Sequence, residues 1–265
     1  ANSNDIYYPV TTNGYMYSAY AEVTDYVRAN GVGDYTVADM ALQEGNGGAT
    51  GFYGGWGLVV VYENSKMNYR DVTIHDGHAY VEGNVVADYQ IPVSGFNTSQ
   101  SGPVNVKLGL MAGEGDKNLI GDYFQIRNAA NTGWISMRHA NNLPNNFFNS
   151  TIETGGNTRN PNLSNNTGLD ISMFNVPNPA NSTIANNQTS TRFRYGTEQD
   201  TYAIFAVVMA VDAYKPDIEG IVSLDAINGV PVGNTTPSVM PGEELLSLIP
   251  ISEPTRPLYI SYAAF

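Results

Sequence analysis

Apolar and polar residues alternate with a period of two along much of this chain, and this pattern restricts it to extended structure. In Thr191–Tyr195 the aromatic residues fall on one side and the arginines on the other, as expected of a half-buried strand. Two longer apolar runs, Trp56–Tyr62 and Tyr202–Tyr214, predict central strands that are buried on both faces. The chain is therefore predicted to be all-β.

The remaining strand candidates are short and separated by turn residues. They are Tyr15–Val23, Tyr35–Met40, Val72–Ile74, Ala79–Val81, Tyr89–Val93, Val104–Met111, Asp122–Ile126, Gly133–Met137 and Leu169–Val176. Asp76–Gly77 predicts a tight hairpin turn between two of them. Strands of this length with long Asn-rich loops are typical of an antiparallel β-sandwich, jelly-roll-like in its proportions.

Helical signals are few. Thr24 is predicted to cap a short turn of helix over Asp25–Ala29, which Gly31 would end. A second short helix is expected near Asn145–Ser150, within the Asn- and Pro-rich stretch from residue 128 to 187. Neither helix is long enough to change the fold class.

The charge balance excludes several partners. With 12 Lys and Arg against 25 Asp and Glu, the formal net charge is −13, which disfavours binding to nucleic acid or to an anionic membrane surface. The longest apolar run, the nine residues of Ala203–Val211, is too short for a transmembrane helix of about 20 residues. The absence of Cys excludes disulfides, thiol catalysis and Cys-ligated zinc.

A change of pattern at Pro216–Gly220 predicts a domain boundary, with a first domain over residues 1–216 and a second over 217–245. In the second, INGVPV followed by VMPGEEL resembles the opening of the Ig-like repeats that bacterial surface proteins carry in tandem. The resemblance implies that residues 217–245 are the truncated start of an Ig-like domain.

Several segments of the first domain resemble one uncharacterised family of modules from very large secreted and cell-surface bacterial proteins. These segments are AEVTDYVRANGVGDYTVADM, YGGWGLVVVYEN, YRDVTIHDGH, GEGDKNLIGDYFQI and NNTGLDISMFNV. Such modules commonly precede Ig-like repeats, and their family usually has one or two strands before the first of these segments, which this chain is expected to lack. The resemblance implies an extracellular or cell-surface location and no established enzymatic activity.

Residues 246–265, LSLIPISEPTRPLYISYAAF, closely resemble the conceptual translation of a transposase-type sequencing adapter. We therefore expect this tail to contribute nothing native, and to lie on the surface either as an extra strand or as a tail without a defined place. The alternative is a natural strand pair, since LLSLIPI and LYISY both alternate.

The densest cluster of oxygen ligands is predicted to hold a structural calcium ion. It consists of Glu114, Asp116, Asn118 and Asp122, within a Gly-containing loop that offers backbone carbonyls. The alternative is an acidic, solvated hairpin turn. A second candidate, Asn165 to Asp170, is equally suited to capping turns through local hydrogen bonds.

Other candidate sites have simpler explanations. His75 and His78 could hold a metal with Asp76, or could be mere neighbours across a hairpin. The glycines of Gly45–Gly51 precede a strand candidate and do not open a helix, so they do not form a dinucleotide-binding loop.

Two classes of function follow from these observations. The first is a non-catalytic extracellular module with an adhesion or stalk role, whose Tyr, Trp, Asn and Asp residues could bind carbohydrate. Its partners would be cell-surface or matrix glycans, or another surface protein. The alternative is a carbohydrate-active enzyme on a jelly-roll scaffold, with Glu63, Glu114 or Asp122 as its acids.

Overall fold

A computed structural model describes residues 5–8, 16–47, 51–83, 88–113, 115–213, 223–248 and 260–264 of the chain. The chain divides into two compact units, one formed by residues 1–214 with 259–265 and the other by residues 215–258. Each unit is described separately below.

The strands of the first unit are mostly antiparallel. They are β1 (Ile6–Tyr7), β2 (Ser18–Ala19), β3 (Arg70–Glu82), β4 (Tyr89–Ser94), β5 (Val106–Gly113), β6 (Tyr123–Arg127), β7 (Trp134–Ser136), β8 (Ile152–Glu153), β9 (Leu169–Val176), β10 (Ser190–Gly196), β11 (Thr201–Asp212) and, at the end of the chain, the strand Ile260–Ala264. The single α-helix among the described residues is α1 (Thr24–Asn30), and Pro179–Asn181 form one short 3-10 helix.

Two sheets form a sandwich around one hydrophobic core. A four-stranded sheet has the order β4-β10-β6-β7, and in a six-stranded sheet the strand Ile260–Ala264 is followed by β3-β11-β5-β9-β8. Leu108 and Val207 of the larger sheet and Phe124 and Phe193 of the smaller one are fully buried in the same cluster. The predicted all-β sandwich is therefore confirmed.

The strand predicted over Tyr202–Tyr214 is confirmed as β11, which lies between β3 and β5 at the centre of the larger sheet. Val207, Met209 and Val211 point into the core and have no exposed surface. A continuous apolar run is what a strand with neighbours on both sides and layers on both faces requires.

The prediction that Trp56–Tyr62 is a buried central strand is wrong. This segment has no regular secondary structure, and Trp56 and Val60 are 40% and 52% exposed. It lies against the outer face of the six-stranded sheet, where Gly57 abuts Met111 and the ring of Tyr53 stacks on Phe205 at 6.2 Å. The central positions are taken by longer strands, which form more ladder hydrogen bonds.

The hairpin predicted at Asp76–Gly77 is also wrong, because β3 continues straight through it. Ile204 of β11 pairs with Ala79 and Ala206 pairs with Asp76, so Phe205 alone faces the two residues between them. This arrangement is a β-bulge. Gly77 suits a bulge as well as a turn. Because β11 pairs with β3 on both sides of Gly77, the strand continues and a bulge forms.

Smaller differences concern local structure. Helix α1 begins at Thr24 and is not capped by its side chain, while Gly31 ends it with a φ of 67° as predicted. The strand predicted over residues 15–23 is, in its described part, only the two-residue β2. The strand predicted over Tyr35–Met40 is irregular in the structure. Residues 145–150 form no helix. No helix among the described residues is long and apolar enough to cross a membrane.

The second unit contains a small antiparallel sheet. In the order β13-β12-β14 it consists of β12 (Ser223–Ile227), β13 (Val230–Pro231) and β14 (Leu245–Leu248). Its Ig-like identity stays a prediction, and the predicted boundary at residue 216 lies outside the described residues.

Part of the 246–265 tail belongs to sheets. Residues 246–248 lie in β14, and Ile260–Ala264, now β15, pairs in parallel with β3 at the edge of the larger sheet. The rest of the tail lies outside the described residues, and its non-native origin stays a prediction.

Candidate functional site

The outer face of the four-stranded sheet presents arginine, aromatic and amide side chains to solvent. Alternation in β6 and β10 places Phe124 and Phe193 in the core, so their neighbours point outward. We call the outward-pointing set the arginine face, and it consists of Tyr123, Gln125, Arg127, Trp134, Arg192 and Arg194.

Strand register brings these residues together from distant parts of the chain. Arg194 of β10 lies directly opposite Gln125 of β6, which is 69 residues away in sequence. On the other side of β6, Arg127 lies opposite Trp134 of β7. Side chains that oppose each other directly share one face of the sheet and are in contact range.

The ring of Trp134 organises two of the arginines. The guanidinium carbons of Arg127 and Arg194 lie 5.1 Å and 4.8 Å from its centroid. Arg194 also lies 5.7 Å from the ring of Tyr123. Such contacts contribute about 0.5–1 kcal/mol each at exposed sites, so these rings hold the guanidinium groups in place.

Neutral acceptors fix the same guanidinium groups. The side-chain oxygen of Gln125 accepts hydrogen bonds from Nε, at 2.8 Å, and Nη2 of Arg194. The side-chain oxygen of Asn131 accepts from Nε of Arg127 at 2.8 Å and from Nη2 of Arg192 at 3.0 Å. The backbone carbonyl of Asn131 accepts a further bond from Arg127 Nη2 at 2.6 Å.

No carboxylate neutralises this face within its strands. The sequences of β4, β6, β7 and β10 contain no Asp or Glu. The two ion pairs among the described residues, Arg28–Asp25 and Arg70–Asp212, do not involve these arginines. Asp88, just before β4, accepts a hydrogen bond from Gln90. Three of the chain's 12 cationic residues therefore share a surface whose four strands supply no carboxylate, on a protein of net charge −13.

The structure separates the residues of the predicted calcium site. Asp122 is fully buried, whereas Asp116 and Asn118 are exposed, and Glu114 lies outside the described residues. Among the residues described, no group of three or more His, Asp or Glu side chains is arranged as metal ligands. The calcium site stays a prediction, and it would need the side chain of Asp122 to turn outward.

Asp122 belongs instead to a group of three buried aspartates at one end of the sandwich. Burial, with a smaller contribution from the nearby Asp200, raises the pKa of Asp122 to about 7. Burial likewise raises the pKa of Asp170 to about 7 and that of Asp200 to about 6. Each carboxylate accepts backbone hydrogen bonds, which partly offset the desolvation cost.

These aspartates organise the loops around them. Asp170 accepts bonds from the backbone N–H groups of Asn149, Ser150 and Thr151, at 3.0, 3.1 and 3.0 Å. Asp200 accepts from the N–H of Asp116 at 3.1 Å. The Asn165–Asp170 stretch, the second calcium candidate, thus uses its carboxylate for local structure.

The two histidines of β3 point to opposite faces of the sheet. His75 lies opposite Val207, a core residue, whereas His78 stacks on Tyr80 at 6.3 Å. Ser18 Oγ lies 2.6 Å from Nδ1 of His78. The bulge, which includes His78, does not bring the two side chains together, so this geometry does not favour a metal site shared by both histidines.

Sequence reasoning did not identify the arginine face, although one signal was present. The alternation of Thr191–Tyr195 already directed its arginines outward. The convergence of three strands that lack acidic residues becomes visible only once their pairing is known. No family model matches the chain, and no curated protein or solved structure matches it either.

Proposed function

We propose that this chain is a non-catalytic extracellular module of a secreted or cell-surface bacterial protein, with an adhesion or stalk role, and that it binds carbohydrate. The supporting observation is the arginine face, where aromatic rings lie beside guanidinium and amide groups on an open sheet surface. Sugar rings stack their C–H faces on aromatic side chains, while their hydroxyl groups bond to amides and guanidinium groups.

The extracellular location rests on the resemblance to bacterial surface modules and on the Cys-free, Asn-rich composition. Cell-surface or matrix glycans are the proposed partners, with another surface protein as the alternative. Because β-sandwiches host both binding and catalytic functions, the proposal depends on the site and not on the fold.

Binding to a panel of immobilised polysaccharides tests the proposal. The chain has two tryptophans: Trp134 lies on the arginine face, and Trp56, which is 40% exposed, lies in the irregular segment outside the sheets. We expect Trp134→Ala to abolish retention and Trp56→Ala to leave it unchanged, with both variants folded by circular dichroism. Equal retention of both variants, or no retention of the wild-type chain, would contradict it.

The alternative, a carbohydrate-active enzyme, requires two carboxylates about 5–10 Å apart in an accessible cleft. Of the acids predicted for this role, Glu63 is exposed in an irregular segment and Asp122 has no exposed surface. The described geometry therefore does not favour this pair as catalytic acids. Release of reducing ends from any polysaccharide that binds would support the enzyme.

A further inference from the structure

We infer that the ligand of the arginine face is an acidic polysaccharide, recognised through the carboxylates of its uronic acid residues. This inference rests on the proposed function and adds the chemical class of the sugar. It follows from the charge of the face and from how its guanidinium groups are held.

The unmatched charge is the first argument. Among the described residues, no carboxylate pairs with Arg127, Arg192 or Arg194. Their guanidinium groups donate instead to the neutral oxygens of Gln125 and Asn131. A protein with 25 acidic residues could supply counter-charges here, yet the four strands contain none. An anionic ligand would provide them.

The geometry of the donors is the second argument. Nε and Nη2 of Arg194 face Gln125, and the same two nitrogens of Arg127 face Asn131. A guanidinium group has five N–H donors, so each arginine keeps the Nη1–Nη2 edge for another partner. That planar edge matches a carboxylate in a bidentate pair, and the contacts with Trp134 fix its position before the ligand arrives.

The net charge of −13 does not prevent this interaction. Charges on other surfaces are screened beyond about 10 Å at 0.1 M salt, whereas the arginine face contacts the ligand directly. Long-range repulsion slows the approach of a polyanion, so we expect a moderate affinity that falls as salt concentration rises.

Polygalacturonate and its fully methyl-esterified form are the decisive pair of probes, because they share one backbone and differ in charge. We expect the acid form to bind the wild-type chain at least about tenfold more tightly than the ester, in calorimetry or affinity electrophoresis. Equal binding of the two forms would overturn the inference and leave the proposed function intact. Binding of no polysaccharide in the wider panel would overturn both.

Variants locate the interaction. We expect Arg192→Gln, at an exposed position, and Arg194→Gln each to weaken polygalacturonate binding about tenfold or more. Arg194→Lys keeps the charge and loses the planar edge, so it should recover only part of the affinity. The control is Arg28→Gln, since Arg28 pairs with Asp25 on α1 and lies outside the face. An equal loss in the control would contradict the assignment.

Three further polyanions test the choice of ligand. If dextran sulfate bound more tightly than polygalacturonate, the recognised group would be a sulfate and the inference of a carboxylate ligand would be overturned. Poly-glutamate or single-stranded DNA competing as well as polygalacturonate would show a general anion surface. We expect all three to compete more weakly, because they lack either the planar carboxylate or the sugar ring that the face accommodates.

Discussion

The carboxylate of Asp122 accepts a hydrogen bond from the backbone N–H of Phe148 at 2.6 Å, and both residues are almost completely buried. This bond anchors the loop between β7 and β8, whose residues Phe147 and Phe148 enter the core without belonging to a strand. The ring of Phe148 packs on Tyr202 of β11 with centroids 4.3 Å apart. A buried acid thus holds a long loop as part of the hydrophobic core.

Stability should fall as pH rises from about 5 to about 8. Burial raises the pKa of Asp122 and Asp170 to about 7 and that of Asp200 to about 6, from the usual 3.8. The folded chain therefore binds more protons than the unfolded chain between these values, and a rise in pH favours unfolding. Exposed carboxylates are already ionised above about pH 5. Burial lowers the pKa of the chain's three histidines, which opposes the fall in stability below about pH 7, so the decline above that pH reports the buried acids.

Asp122→Asn should weaken this pH dependence. The amide can still accept the bond from Phe148 but no longer titrates, whereas Asp34→Asn, at an exposed position, should leave the dependence unchanged. A midpoint that does not fall between about pH 5 and pH 8 in the wild-type chain would contradict the assignment.

A charge should be tolerated at Val60 and not at Val207. Val60 is 52% exposed, so Val60→Asp should change the free energy of unfolding by about 0.5 kcal/mol or less. Val207 has no exposed surface, and Val207→Asp would bury an unpaired carboxylate and prevent folding. Circular dichroism and urea unfolding of the two variants measure the difference. An unfolded Val60→Asp chain would support the prediction from the sequence that this segment is a buried strand.

Phe124 should be a major contributor to the core. Its ring lies 4.9 Å from Phe193 and 5.8 Å from Phe147, and so joins both sheet and loop. Phe124→Ala should lower the free energy of unfolding by about 3–5 kcal/mol. Phe52→Ala is the matched control, since Phe52 is 52% exposed and the expected loss is about 0.5 kcal/mol. A similar loss of unfolding free energy in both variants would contradict the central position of Phe124 in the core.

The predicted calcium site can be tested with Asp116→Ala. We expect about 10 mM calcium to raise the thermal midpoint of the wild-type chain relative to chelator, and Asp116→Ala to lose that rise. Asp116 is the informative position because its side chain is exposed, whereas Asp122→Ala removes the acceptor for Phe148 and destabilises the fold with or without calcium. No calcium-dependent rise in the wild-type chain would favour a solvated turn.

The sequence by itself determined the fold class and most of the strands. Alternation in Thr191–Tyr195 and Leu169–Val176 predicted β10 and β9, and the apolar run of Tyr202–Tyr214 predicted the central β11. These patterns are local, because the side chains of a strand alternate between two faces whatever its partner is.

Only the tertiary structure decided which strands occupy the centre and which residues meet. Trp56–Tyr62 has the composition of a central strand but lies outside the sheet, and Asp76–Gly77 forms a bulge because β11 continues past it. The meeting of Arg127, Trp134 and Arg194 likewise depends on the pairing of three strands. The pairing and register of distant strands depend on competition among all the apolar segments for one core, which no local pattern encodes.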